Sequence, residues 1–294
     1  MKTKTETIYA LASPIGKSAI ATFRISGPDA YKEILGISSN MPSKNKKITV
    51  NKIKDKKGTL IDKTITTFFY APHSYTGEDM VEISVHGGAA IIEKMTNELS
   101  NLNGFRLAEP GEFTRRSFEN NKLDLTQVEA IADIINSETE TQRKLALSQL
   151  EGSITKEVTT ISENIMKLMA DIEAVIDFSD EDLPKSLEKK IKEQNKNIIK
   201  KIQTELKNAH ISKPIREGVN IAIIGKPNTG KSSFINFISK KDISIVTDIP
   251  GTTTDSITSS IDINGYKFTF IDTAGLRKHK NKIEKIGIQK TREI

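Results

Sequence analysis

Residues 225–232 read Gly225-Lys226-Pro227-Asn228-Thr229-Gly230-Lys231-Ser232. This is the complete pattern G-x-x-x-x-G-K-[ST] of a phosphate-binding loop. The glycines let the backbone wrap closely around a triphosphate, so that several N–H groups point inward. Lys231 then reaches the β- and γ-phosphates, and the Ser232 hydroxyl faces Mg²⁺. The flanks agree with this reading. Val219–Ile224 is a short apolar run suited to a buried strand. Ser232–Ile238, which includes Ser233, can open a helix, and a helix N-terminus favours anions. The alternative is a chance glycine-rich turn, which would need strand, loop and helix to fall in register by coincidence.

Two further elements follow in the order a GTPase needs. Thr247-Asp248-Ile249-Pro250-Gly251-Thr252-Thr253-Thr254-Asp255 is a polar, threonine-rich loop, a candidate first switch in which a hydroxyl can complete an Mg²⁺ shell. Ser256–Ile263 and Tyr266–Ile271 alternate apolar and polar residues around Asn264-Gly265, a two-residue hairpin signal. The second strand runs into Asp272-Thr273-Ala274-Gly275. An Asp at the end of a buried strand can hold Mg²⁺ through water, and the glycine can offer its N–H to a γ-phosphate.

A GTPase domain also needs a later Asn-Lys-x-Asp loop to read guanine, and the 19 residues after Gly275 do not contain one. One such string, Asn121-Lys122-Leu123-Asp124, lies upstream. A circularly permuted GTPase would place it after an apolar strand. Here it follows the polar run Arg115–Asn120 and leads into a helical pattern.

Length allows about two domains. Residues 1–118 read as α/β, with strand-like segments at Ile8–Ala12, Ala19–Ile25, Thr64–Tyr70 and Met80–Val85 and helical patterns at Asp29–Leu35 and Ala89–Leu102. Residues 119–214 read as helical. Leu150, Ile154, Val158, Ile161, Ile165, Leu168, Ile172 and Val175 recur at steps of three or four, the stripe of a bundle core. A break falls at Asp180–Pro184, and Ile211–Gly218 reads as a linker into the nucleotide-binding segment, 215–294. With no cysteine, disulfides and thiolate metal sites are excluded, which fits a cytoplasmic protein. No apolar stretch approaches the roughly 18 residues of a membrane span. The net charge of +6 is compatible with an RNA partner, but each lysine cluster, Lys44–Lys57 and Lys185–Lys207, also reads as a solvated face. His73 and His86 read as turn or core residues without assigned chemistry.

The arrangement resembles the MnmE/TrmE tRNA-modification GTPases. The resemblance rests on Phe23-Arg24-Ile25-Ser26-Gly27, Tyr75-Thr76-Gly77-Glu78-Asp79, Val85-His86-Gly87-Gly88, Pro110–Arg116 and Lys122–Leu125, joined to the P-loop, Asp248–Asp255 and Asp272–Arg277. It implies a multidomain fold: an α/β N-terminal folate-binding domain, a helical-bundle segment, and an incomplete P-loop α/β GTPase domain. By the same resemblance, Arg24, Glu82 and Lys122 bind a tetrahydrofolate derivative, 5-formyl- or 5,10-methylene-, and the N-terminal domain forms a homodimer.

The resemblance further implies a K⁺-stimulated GTPase. Gly225, Asn228, Thr229, Gly230, Lys231, Ser232 and Ser233 would bind GTP with Thr247–Thr253 and Asp272–Gly275. Asn228 with backbone oxygens near Thr247, Ile249 and Thr252 would hold K⁺, and Ser232 and Thr253 would hold Mg²⁺. Glu284 would orient the attacking water. Thr254 stands where the family usually has arginine, and Pro250 where it often has alanine. The implied activity, with an MnmG-type FAD protein in a heterotetramer, adds a carboxymethylaminomethyl or aminomethyl group at C5 of the wobble uridine, position 34, of certain tRNAs. Two other readings stay open: a folate-binding dimerisation module without GTPase activity, and a generic P-loop translation or ribosome factor.

Overall fold

The computed structural model describes residues 6–40, 48–177, 185–224, 229, 230, 233, 234, 237, 238 and 258–272. The chain divides into two compact units, Met1–Val128 and Glu129–Ile294.

The first unit is built on a six-stranded sheet. Its strands are β1 (Thr7–Leu11), β2 (Ser18–Ser26), β3 (Ile48–Lys54), β4 (Leu60–Phe69), β5 (Met80–Gly87) and β6 (Phe105–Leu107), in the order β3-β4-β5-β2-β1-β6. Neighbours pair antiparallel except β1 and β6, which are parallel. Alternation along β2 buries Ala21, Phe23 and Ile25 and turns Thr22 and Arg24 to the other face. Helices α1 (Ala30–Ile37) and α2 (Ala89–Ser100) cover the buried face. They set Ile34, Met95 and Leu99 against Phe23, Ile25 and Ile83 in one core. Burial of each such large side chain stabilises the unit by about 2 kcal/mol. Arg24 and its cross-strand neighbour Glu82 are thereby left on the uncovered face.

The lysine-rich stretch before Gly58 contains a strand that its composition hides. In β3, Lys52 and Lys54 face solvent while Asn51 and Ile53 are buried. Asp55 closes the turn between β3 and β4, accepting from the N–H groups of Lys57 and Thr59.

Three shorter helices follow, α3 (Glu112–Glu119), α4 (Leu125–Ile135) and α5 (Glu140–Leu150). The string Asn121–Asp124 ends as a cap on α4. Asp124 Oδ1 accepts from the Gln127 N–H at 2.9 Å, and Gln127 Oε1 accepts from the Asp124 N–H at 2.9 Å, a reciprocal capping box. Its carboxylate is thus engaged in holding a helix end.

In the second unit, α6 (Ser153–Asp177) packs along α7 (Lys185–Glu217). No residue of α6 is buried, and Ile154, Val158, Ile165 and Ile172 of the apolar stripe are each 38–57% exposed. Two helices cover only part of a stripe that has bundle width.

The expected linker at 211–218 is a correction, because α7 continues to Glu217 with Pro214 inside it. Proline removes one backbone bond, but the last turn is held from outside. Gln142 Nε2 donates to the Arg216 carbonyl at 3.1 Å, and Arg216 Nε meets Asp133 at 2.8 Å. Gln142 also closes the capping box of α5 with Thr139.

Three strands, β7 (Val219–Ile223), β8 (Thr258–Ile263) and β9 (Tyr266–Asp272), form a small sheet in the order β7-β9-β8. The hairpin turn at Asn264-Gly265 has φ of 54° and 87°, the left-handed pair this dipeptide favours. Ile261 and Phe270 are its buried centre, with Ile221 and Ile223 against them.

Candidate functional site

Two places gather the expected chemistry. The first is on the uncovered face of the six-stranded sheet. Arg24 on β2 stands opposite Glu82 on β5, and Nε and a terminal guanidinium nitrogen of Arg24 meet Glu82 Oε1 at 2.9 and 2.8 Å. The guanidinium also lies 5.2 Å from the ring centre of Tyr75 and 5.8 Å from that of Phe113. Aromatic faces attract such a cation. Both partners stay partly open, Arg24 at 30% and Glu82 at 25% exposure. Lys122 donates from Nζ to the Pro72 carbonyl at 3.0 Å, in the loop that also carries Tyr75.

The loop 70–79 ties these groups together. Tyr75 Oη and Thr114 Oγ1 are 2.9 Å apart, Ser117 Oγ donates to the Tyr75 carbonyl at 2.7 Å, and Asn120 Nδ2 donates to the Thr76 carbonyl at 2.8 Å. Behind them runs an ionic chain. Arg106 forks onto Glu112 at 2.8 and 2.7 Å, Glu112 accepts from Arg116 at 3.1 Å, and Arg116 reaches Glu78 at 2.9 Å. Glu78 also accepts from Ser26 Oγ at 2.8 Å, at the end of β2 two residues after Arg24. Glu112 and Arg116 are nearly fully buried. The Arg106 fork, with help from the Glu109 N–H and Arg116, holds the Glu112 carboxyl down at about 2 against the opposing cost of burial.

The sequence alone gives no role to Tyr75, Phe113 or the ionic chain from Arg106 to Glu78. Their motifs were visible in Tyr75–Asp79 and Pro110–Arg116, but their convergence depends on contacts about forty residues apart in sequence.

His86 is neither a turn nor a core residue. It lies in β5 with a ring 68% exposed, and its Nδ1 is 2.9 and 3.0 Å from the two oxygens of the buried Asp62. Asp62 also accepts the His86 N–H, so the carboxylate completes the strand pairing there.

The second place is the end of the small sheet. Strands β7 and β9 run parallel with Ile223 opposite Asp272. The loop after β7 and the loop after β9 therefore leave from the same, C-terminal edge. That is where open α/β sheets bind ligands. Phe234 donates its N–H to the Gly230 carbonyl at 2.9 Å, the first helical turn after the loop, and Gly230 has φ of 85°. Thr229 and exposed Ser233 are among the described residues. Gly225, Asn228, Lys231, Ser232, Thr247 to Thr253, Thr273 to Gly275 and Glu284 lie outside them, as does the side chain of Asp272. Among the described residues, no group of three His, Asp or Glu side chains could hold a metal ion, and no helix is long and apolar enough to cross a membrane.

An α/β unit, a helical segment and a small sheet whose first strand leads into the P-loop sequence define a multidomain protein of the P-loop class. Residues 7–122 match the family model described as GTP-binding protein TrmE N-terminus, and residues 125–293 match that of the MnmE helical domain. Proteins named tRNA modification GTPase MnmE are similar throughout. Those of Aquifex aeolicus and Dinoroseobacter shibae are 42% and 41% identical over 98% and 97% of this chain, and 64% and 66% of their own lengths. That of Neorickettsia sennetsu is 43% identical over 96% of this chain and 51% of its own length. The chain thus spans no more than about two-thirds of these curated relatives. It belongs to the MnmE/TrmE family of tRNA-modification GTPases.

Proposed function

We propose that this chain carries the folate-binding and phosphate-binding parts of a tRNA-modifying GTPase. The observation that supports this reading most strongly is the parallel register of Ile223 with Asp272. It starts the segments that follow β7 and β9 from one edge of the small sheet. Lys231 would neutralise the β- and γ-phosphates, Ser232 and Thr253 would hold Mg²⁺, and Asn228 with the carbonyls near Thr247, Ile249 and Thr252 would hold K⁺. A K⁺ held by those residues would supply charge neutralisation of the kind an arginine finger gives elsewhere. Glu284 orients water.

On the other unit, Glu82 has one oxygen engaged by Arg24, and its Oε2 accepts no bond among the described residues. That oxygen suits the paired donors of a pterin edge, and Arg24 and Lys122 suit the anionic tail. The bound folate supplies the one-carbon unit. The N-terminal unit forms the homodimer, and an MnmG-type FAD protein completes the assembly that modifies C5 of uridine 34.

Titration of the full chain with a fluorescent GTP analogue and with 5-formyltetrahydrofolate tests this. Lys231→Ala is expected to weaken GTP binding about 100-fold while leaving folate binding intact. Arg24→Ala is expected to weaken folate binding about tenfold or more, with GTP unaffected. Folate binding without any GTP binding would reduce the chain to a folate-binding module.

A further inference from the structure

Helix α7 carries the whole net charge of the protein. Its 33 residues hold ten of the 44 Lys and Arg and four of the 38 Asp and Glu. The remaining sequence is balanced, with 34 of each sign. Within α7 the charge is sorted by direction. Lys190 pairs with Asp171 and Lys201 with Glu157, both on α6. Gln194, Asn197 and Ile198 line the cleft on that same side. Lys189, Lys192, Lys196, Lys200 and Lys207 are spaced three, four, four and seven apart, so they fall in one row along a helix. At about 100° per residue this row lies roughly opposite the α6 contact. All five are exposed, and among the described residues none makes an ion pair.

Glu193 is the acid set among these lysines, and among the described residues it pairs with none of them, so five ammonium groups in one row largely repel one another, a cost that a merely soluble surface avoids by mixing signs more evenly. The row runs about 27 Å, with its first four members about 5–6 Å apart and Lys207 two turns further on. That spacing is comparable to the repeat of phosphates along a polynucleotide strand. The row holds no aromatic residue, so it would read charge and shape rather than bases.

We propose that this face of α7 docks the phosphate backbone of a folded RNA, and that tRNA is held there. The proposal rests on the tRNA reading above and adds to it the surface that does the holding. The contacts are electrostatic and salt-sensitive. They orient the RNA without selecting its sequence.

The test uses the full chain with a fluorescein-labelled tRNA transcript, followed by anisotropy from low to moderate KCl. The variant Lys189→Gln/Lys192→Gln/Lys196→Gln/Lys200→Gln keeps helix propensity, and circular dichroism checks its fold. Each lost phosphate contact removes about 0.7–0.9 from the slope of log K against log salt. The quadruple variant is therefore expected to lose about three units of slope and at least tenfold in affinity at about 100 mM KCl. Lys52→Gln/Lys54→Gln/Lys63→Gln, on the other unit, is expected to bind as the wild type does. Undiminished binding by the α7 variant would overturn the proposal while leaving the tRNA reading intact. Absence of RNA binding by the wild-type chain at low salt would overturn it as well. So would loss of binding to phosphatidylglycerol vesicles alone, which would make the row a membrane-surface contact.

Discussion

Replacing Glu112 by alanine is expected to lower the stability of the protein by about 3 kcal/mol, read as a shift of the urea midpoint followed by circular dichroism. The carboxylate accepts both arms of the Arg106 fork, the Arg116 guanidinium and the Glu109 N–H. Arg116 is almost fully buried, so its charge would lose one of its two partners where water cannot replace it. Arg106 is 37% exposed and finds water more easily, which keeps the cost near the lower end for buried pairs. Glu112→Gln is expected to lose less, because an amide oxygen still accepts one arm.

The same carboxyl gives a pH signature. It is held at about 2 against an ordinary 4.5, first by the Arg106 hydrogen bonds. A depressed carboxyl stabilises the fold fully above its unfolded value, and that stability is lost as pH falls through its folded value. Stability is therefore expected to drop between pH 4.5 and about 2, and less steeply in Glu112→Gln. Glu140, also held at about 2 by Arg143, shares the window. Its pair is about half exposed, so high salt screens its share while leaving most of that from Glu112.

Gly27→Ala is expected to cost about 3 kcal/mol or more, by the same unfolding measurement. Gly27 has φ of 139°, a conformation that a side chain strains. An added Cβ would also stand 2.6 Å from the Thr7 Cα and 3.1 Å from the Glu6 carbonyl oxygen. These are backbone atoms, so no rotamer change relieves the contact and β1 would have to move. Gly36 is the internal contrast. It lies in α1 with nothing within 4 Å of an added Cβ, so Gly36→Ala is expected to stabilise by about 0.5 kcal/mol. Equal effects at both positions would contradict the steric argument.

The strands of the first unit were legible because one face of the sheet is buried and the other is not. Alternation at Ala21, Phe23 and Ile25 is a direct image of that asymmetry. β3 was hidden because its exposed positions mix Ile48 and Val50 with Lys52 and Lys54, while the inward pair is Ile53 and the polar Asn51, so the usual alternation is blurred. Residues 211–217 resemble a linker in Ser212 and Pro214, and they are helical because Gln142 and Asp133 secure Arg216. Those partners are 74 and 83 residues away, beyond any local signal.

The candidate sites divide the same way. The P-loop is a local pattern and could be read directly. Arg24 and Glu82 were singled out only by resemblance, since 58 residues separate them and cross-strand register alone makes them neighbours. The glutamates and arginines of 106–116 look like an ordinary charged surface until Ser26 and Glu78 fold over them.

The clamp on the last turn of α7 gives that helix a mechanical character. Thirty-three residues make a rod of about 50 Å, and β7 starts at Val219, two residues beyond its end. A rotation of about 10° at the clamped end would sweep the Lys185 end through about 9 Å. The strand that leads into the P-loop is thus attached to the short arm of a lever whose long arm carries the lysine row.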